Sequence, residues 1–133
     1  MEILSLPLSK NLDIVKSENE GYLLQIETLP KHFNHIKTTH GAVIFALAET
    51  SSGYYLSQLF SEMLDRVFPI LRSSKIKYIK PIKGSIFSKA SILKQSKNEI
   101  LEKLKNKKKC IIEVEVFIFD KENHLICKSI FNW

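Results

Sequence analysis

The sequence predicts an α+β fold in which one curved antiparallel sheet wraps a single long, buried helix. Three observations carry that expectation. The stretch 40–60, HGAVIFALAETSSGYYLSQLF, opens with seven consecutive apolar residues after His40-Gly41 and stays apolar around most of a helical wheel. A helix of that kind is buried on most sides. The segments beyond Pro69 switch to period-two alternation, the signature of half-buried strands. One helix cannot cover two sheets, but one curved sheet can enclose one helix.

In chain order, the 133 residues suffice for one domain, 1–133, with a sizeable core. Residues 1–12 are expected to form a short helix or an irregular arm, since Pro7 limits any longer element. Residues 12–16 suit a short strand, and Glu18-Asn19-Glu20-Gly21 is turn chemistry. Residues 22–29 alternate, with Tyr22, Leu24, Ile26 and Thr28 on one face. Residues 30–39 form a loop in which Thr38 or Thr39 is expected to cap the long helix. That helix should run to about Phe60, at most to Asp65, and Pro69 marks its definite end. Strands are expected over 74–80, 85–95, 110–119 and 125–131, with a turn at Asp120-Lys121-Glu122-Asn123. The charged connection 98–109 is either a long hairpin tip or a short exposed helix.

Two cysteines supply no disulfide framework. The turn at 120–123 would set Cys127 opposite Val116, leaving the two sulfurs roughly 20 Å apart at the strand rise, so both read as reduced, packed thiols. No apolar run is long enough to span a bilayer. The N-terminus lacks the basic start, apolar middle and cleavage site of a secretory signal. A cytoplasmic protein without a membrane partner is expected. The net charge of +6 suits anionic partners, but a Lys-rich solvated surface accounts for it more simply. Lys107-Lys108-Lys109 lacks the interleaved aromatics of a single-strand nucleic-acid binder, so nucleic acid is not an expected partner; the run reads as a solvated loop tip.

Within the apolar helix stands one carboxylate, Glu49, followed by Thr50, Ser51, Ser52 and Gly53. Charged side chains are rarely buried without a partner, which makes Glu49 the candidate for catalysis. Gly41, at the helix start, leaves backbone N–H groups open to an anion or oxyanion. Nine residues at about 100° each place Glu49 on the opposite helix face from His40 and about 13 Å along the axis. The two meet only if a twofold partner lays its own helix alongside, so an enzyme built on them requires a dimer with two equal sites.

Asn34, His40-Gly41 six positions on, Glu49 nine further and Gly53 after three small residues together resemble the hotdog-fold acyl-CoA thioesterases, particularly the phenylacetate-pathway type. KIKYIKPIKG, residues 75–84, resembles that family's strand after the helix. The resemblance covers about residues 12–133. It implies a hotdog fold, a homo-oligomer (a dimer or a dimer of dimers), and hydrolysis of an acyl-CoA-type thioester, with no cofactor beyond the CoA moiety of the substrate. It implies Glu49 as general base or nucleophile, the Gly41 N–H as oxyanion donor, His40 as the residue positioning that turn or touching the thioester, and Asn34 as orienting the water or the carboxylate. Gly53 and the serines Ser73 and Ser74 are its implied substrate contacts; CoA phosphates are expected near Lys75, Lys77, Lys80, Lys83 and Lys89. Two departures stand out. The carboxylate is usually Asp in the phenylacetate type, and Leu71 aligns where that family often has Ser or Thr, so that either Ser73 or Ser74 substitutes or that helper is missing.

Other readings compete residue by residue. Glu49 could begin a solvated half of the helix, His40 could be a cap only, and Asn34 could stabilise its own turn. His32, His35 and His40 lack a Cys or acidic residue at zinc-like spacing, so no metal is expected. No Gly-x-Ser-x-Gly elbow is present. A hotdog dehydratase acting on a 3-hydroxyacyl thioester, and a non-catalytic acyl-CoA-binding or regulatory hotdog protein, remain as alternatives. Phe45, Tyr54 and Tyr55 are candidates for shaping the acyl pocket.

Overall fold

A computed structural model of the chain describes residues 2–133. Its centre is helix α2, Gly41–Leu59, and its wall is a six-stranded antiparallel sheet. The strands are β1 (Val15–Lys16), β2 (Leu24–Ile26), β3 (Ser73–Tyr78), β4 (Ile86–Ile92), β5 (Glu113–Phe119) and β6 (Leu125–Asn132). They lie in the order β1-β2-β4-β5-β6-β3, so the strand that follows α2 forms one open edge. The sheet is curved around α2, as the sequence predicts.

The alternation of β5 explains how the two layers meet. Val114, Val116 and Ile118 are fully buried, as are Leu24 and Ile26 of β2 and Ile86 of β4. They pack on Val43, Ile44, Leu47 and Ala48 of α2 in one apolar cluster. Full burial of such side chains contributes about 1.5–3 kcal/mol each before entropy is counted. A polar seam crosses this core. Ser51 Oγ donates to the Leu47 carbonyl at 2.6 Å and lies 2.7 Å from Ser88 Oγ, and Ser88 Oγ in turn accepts from Leu24 N–H. Helix, β4 and β2 are thereby tied together without a charge.

Several expectations need adjustment. The 22–29 strand shortens to Leu24–Ile26 because it pairs with only two residues of β4. The N-terminal arm needs none: it contains α1, Pro7–Asn11, a short helix of the kind expected, beginning at the proline. The β5–β6 register differs by two from the one expected: Cys127 faces Ile118. The connecting loop closes between Asp120 and His124, with Asn123 at φ +65°, and so holds one residue more than a two-residue turn. An irregularity at Ile118/Phe119 adds the second residue. Both cysteines are free, as expected. Burial pushes the Cys127 thiol up to about 11, so it stays protonated at neutral pH.

The connection after β4 is a helix, α3, Lys97–Lys107. Ser96 caps it by accepting from Glu99 N–H, Glu99 sits in the first turn, and Lys105 and Lys107 sit in the last, where each complements the helix dipole. Ile100 is fully buried and, with Leu101 and Leu104, anchors the helix to the core. The 107–109 lysines are therefore a helix end and its exit, not a loop tip; Lys108 adopts the left-handed C-cap conformation.

Candidate active site

The site begins in the loop before α2, and its anchor is a residue the sequence reading took only as a possible metal ligand. His32 is fully buried. Its Nδ1 accepts from Leu29 N–H at 2.9 Å, so the proton resides on Nε2, which lies 3.0 Å from the Leu12 carbonyl. Its own carbonyl accepts from His40 N–H at 2.8 Å. Both ring nitrogens are thus engaged, and the described residues contain no group of three His, Cys, Asp or Glu arranged for a metal. We expect His32→Ala to lower stability by about 3 kcal/mol, from a vacated core position and two stranded backbone groups. The shift of the urea midpoint measures it; an unchanged midpoint would remove His32 from this role.

Asn34 holds the next part of the loop. Its Oδ1 accepts from Ile36 and Thr38 N–H groups, both at 3.0 Å, and its Nδ2 donates to Thr38 Oγ1 at 2.8 Å. Lys37 has φ +61° inside this turn. The amide of Asn34 is spent on shaping the approach to α2. Thr39 N–H donates to the Ile82 carbonyl at 2.8 Å, tying the loop to the strand region beyond β3. Thr39 Oγ1 is buried without a hydrogen-bond partner among the described residues.

His40, not Thr38 or Thr39, is the N-cap of α2. Its Nδ1 accepts from Ala42 N–H at 3.0 Å, and its backbone is extended at φ −61°, ψ 136°. Thr38 and Thr39 are buried and committed to the loop, which leaves the cap to the exposed imidazole. With Nδ1 accepting, the remaining ring proton sits on Nε2, a donor facing away from the helix. The Gly41 N–H has no partner among the described residues, as befits a first-turn donor. The Gly41 carbonyl, by contrast, accepts from Tyr78 Oη at 3.1 Å, and the Tyr78 ring covers the glycine at 3.6 Å from where a Cβ would stand. Burial raises the Tyr78 phenol above its ordinary range, with a smaller contribution from Cys127, so it remains a donor. Tyr78 thus braces this turn from β3, a role its place in an alternating strand did not disclose.

Glu49 lies eight residues on, about 12 Å along α2 from Gly41. It is half-buried, and its carboxylate has neither a hydrogen bond nor an ion pair with a described residue. Desolvation holds its pKa above the usual glutamate value. Ala42, Ala46 and Gly53 share the less buried side of the helix with it. Gly53 has a close neighbour of its own chain: a Cβ there would stand 3.3 Å from the Trp133 indole. Trp133 Nε1 donates to Ser52 Oγ at 2.9 Å, and Ser52 Oγ donates to the Glu49 carbonyl at 2.7 Å. The terminal Trp133 therefore walls the turn after Glu49. Its parity with Phe131, a fully buried residue of β6, was the available sequence signal.

The other candidates divide. Ser74 shares a strand face with Ile76, which packs on the core, and with Tyr78, so it lies on the α2 side of β3. Ser73 has the opposite parity, and its Oγ accepts from Asn132 Nδ2 at 3.0 Å. Tyr54 is a core residue, Tyr55 packs beside it, and Phe45 stacks edge-on with Phe131. Among the lysines, Lys80 approaches Asp120 at 3.8 Å and Lys89 lies over the Tyr22 and Phe119 rings. Lys75, Lys77 and Lys83 make no ion pair among the described residues.

This arrangement can be set beside known proteins. No curated protein matches the chain in sequence. Among solved structures, a thioesterase from Haemophilus influenzae superposes with a TM-score of 0.76 at 17% identity, covering 98% of this chain and 82% of that one. The PaaI protein of the phenylacetic acid degradation operon of E. coli superposes with a TM-score of 0.70 at 15% identity, covering 96% and 83%. A Bacillus halodurans protein determined with CoA gives 0.71 at 16%, covering 96% and 74%. At these identities the likeness establishes the fold, which is the hotdog arrangement that the sequence resemblance implies. A family match spans residues 4–129, nearly all of the chain, and by it the protein belongs to the hotdog family described as "Putative thioesterase (yiiD_Cterm)".

Proposed function

We propose that the protein hydrolyses an acyl-CoA-type thioester to a free acid and a thiol, at sites shared between two copies of the chain. The observation that carries this reading is the pairing of an unpartnered, desolvated Glu49 with an unpaired N–H at the start of the same apolar helix. In the proposed reaction Glu49 takes a proton from water as the water oxygen bonds to the thioester carbonyl carbon. The Gly41 N–H of the other copy, at the positive end of α2, holds the oxyanion, with the His40 Nε2–H nearby. The intermediate then collapses, the C–S bond breaks, and the proton on Glu49 passes to the departing thiolate. CoA as the thiol carrier is supported by the B. halodurans structure determined with CoA. Free cysteines are in keeping with a reducing, cytoplasmic setting.

Assembly follows from the same geometry. β3 is an edge strand whose outer side has no partner strand among the described residues. Exposed Tyr78 and Ile79 lie at its end, and Phe68 and Ile70 lie just before it. The side of α2 that carries Glu49 also bears Ala42 and Ala46, small enough for a second helix to approach closely. A twofold mate pairing β3 to β3 would lay the two α2 helices side by side and supply each Glu49 with the other copy's His40-Gly41 turn. Light scattering over a dilution series should give a dimer or a dimer of dimers down to micromolar concentration. A folded, active monomer would sink the shared site.

The function itself is tested by thiol release over a panel of short, long and aromatic acyl-CoAs. Turnover of at least one, abolished in Glu49→Ala, is the expected result. A wild-type protein that binds acyl-CoA yet releases no thiol from any of them would instead favour the non-catalytic binding role.

A further inference from the structure

A groove of about 750 Å³ lies at the far end of α2, between that helix, the segment 60–72, α3 and the approach to β5. Its volume falls in the range of small-molecule sites. Leu56 of α2, its C-cap Phe60, Leu104 of α3, Ile112 and Trp133 give it a largely apolar floor. Arg72, Lys103, Lys107 and Lys109 also line it, and no Asp or Glu does. The chain has 14 acidic residues, yet none of these four cations is in an ion pair among the described residues. Lys103 Nζ is directed to Gln95, whose amide oxygen lies 2.7 Å away when the amide nitrogen faces the Ile111 carbonyl.

An apolar trough lined by several cations outside any ion pair is complementary to an elongated apolar tail ending in an anion. We infer that the groove is a binding site for a free fatty carboxylate, with the tail on the Leu56–Phe60–Leu104–Trp133 floor and the carboxylate among Lys103, Lys107 and Lys109. A neutral lipid would leave the cations without a counter-charge, and a nucleotide phosphate would leave the floor unfilled. The groove begins on α2 at Leu56, two helical turns beyond Glu49, and shares Trp133 with the wall over Gly53. It is therefore placed to retain an acid released nearby, but binding there does not depend on the chain being a hydrolase.

Trp133 is the single tryptophan, so its fluorescence reports on the groove directly. The experiment titrates the full chain with laurate, below its micellar concentration, and in parallel with dodecanol and with CoA. Calorimetry supplies the stoichiometry. Laurate should shift the Trp133 emission saturably. Dodecanol, which lacks the charge, and CoA, which lacks the tail, should bind at the groove about tenfold more weakly or less. The double variant Lys103→Gln/Lys107→Gln, on the exposed side of α3, should weaken laurate about tenfold while the chain stays folded, with only a small loss of melting temperature from the lost dipole contact of Lys107. Raised salt should weaken it as well. Three results would each overturn the proposal: no saturable laurate signal, dodecanol or CoA acting as strongly as laurate, or full laurate affinity in the double variant. The first would leave the groove to packing with a second copy, and CoA acting as strongly as laurate would assign it to the CoA moiety.

Discussion

Gly41→Pro is expected to leave the protein folded and to lower turnover on its best thioester by about a hundredfold. The substitution is unusually clean at this position. Gly41 is the first residue of α2, where proline is favoured because the missing N–H is one the helix does not use. His40, at φ −61° and ψ 136°, already has the backbone conformation that a following proline demands. The nearest atoms to a new Cβ belong to the Tyr78 ring at 3.6 Å, an ordinary contact. The change therefore removes one donor and little else. Unaltered turnover with an unaltered melting curve would exclude the Gly41 N–H as the oxyanion donor. Gly41→Ala, which keeps the N–H, is the control and should stay close to wild type.

Glu49→Gln should abolish most turnover while slightly raising stability at neutral pH. The activity loss follows from removing the only carboxylate on the less buried face of α2, and Glu49→Asp should retain part of it. The stability gain follows from linkage. Burial raises the folded-state pKa of Glu49, so the folded protein favours its protonated form. Its contribution is fully present below the unfolded-state pKa and is lost as pH rises through the folded-state value. Above that value the wild type holds a poorly solvated charge that glutamine lacks. Wild type and Gln variant should therefore melt together at acid pH and diverge near neutrality, with the variant higher. The rate of the wild type should fall on acidification through the same raised pKa, since the base must be ionised. Full activity in Glu49→Gln would end the catalytic reading of this residue.

Much of the fold was legible because it rests on periodicity. The buried parity of Val114, Val116 and Ile118, and the apolar run of α2 ending near Phe60, are direct readings of hydrophobic spacing. What escaped depends on turn closure and on single polar contacts, which spacing does not encode. The β5–β6 register turned on one extra loop residue and one irregularity beside Asp120. The cap of α2 passed to His40 because Thr38 and Thr39 were needed inside the loop, a choice made by Asn34, Ile82 and His32. At the site, Glu49 and Gly41 were visible as anomalies of composition: a carboxylate in an apolar run and a glycine at a helix start. His32, Tyr78 and Trp133 were not. Each acts by a contact with residues distant in sequence, and a buried histidine, a strand tyrosine and a terminal tryptophan look ordinary alone. The place of Lys103 and Lys107 was equally hidden, because a helix was one of two readings of their segment but its packing on the core through Ile100 was not foreseen.

The central claim is that Glu49 of one copy works with the Gly41 turn of another, and mixing two inactive variants tests it most directly. Glu49→Gln and Gly41→Pro are co-expressed, purified together and assayed for thiol release beside each variant alone. In a mixed dimer with shared sites, one site carries both defects and the other carries neither. Random association then predicts recovery of about a quarter of wild-type turnover from two proteins that are each nearly inactive. If both residues of a site come from the same chain, every site keeps one defect, and a mixture no more active than its components would contradict the account.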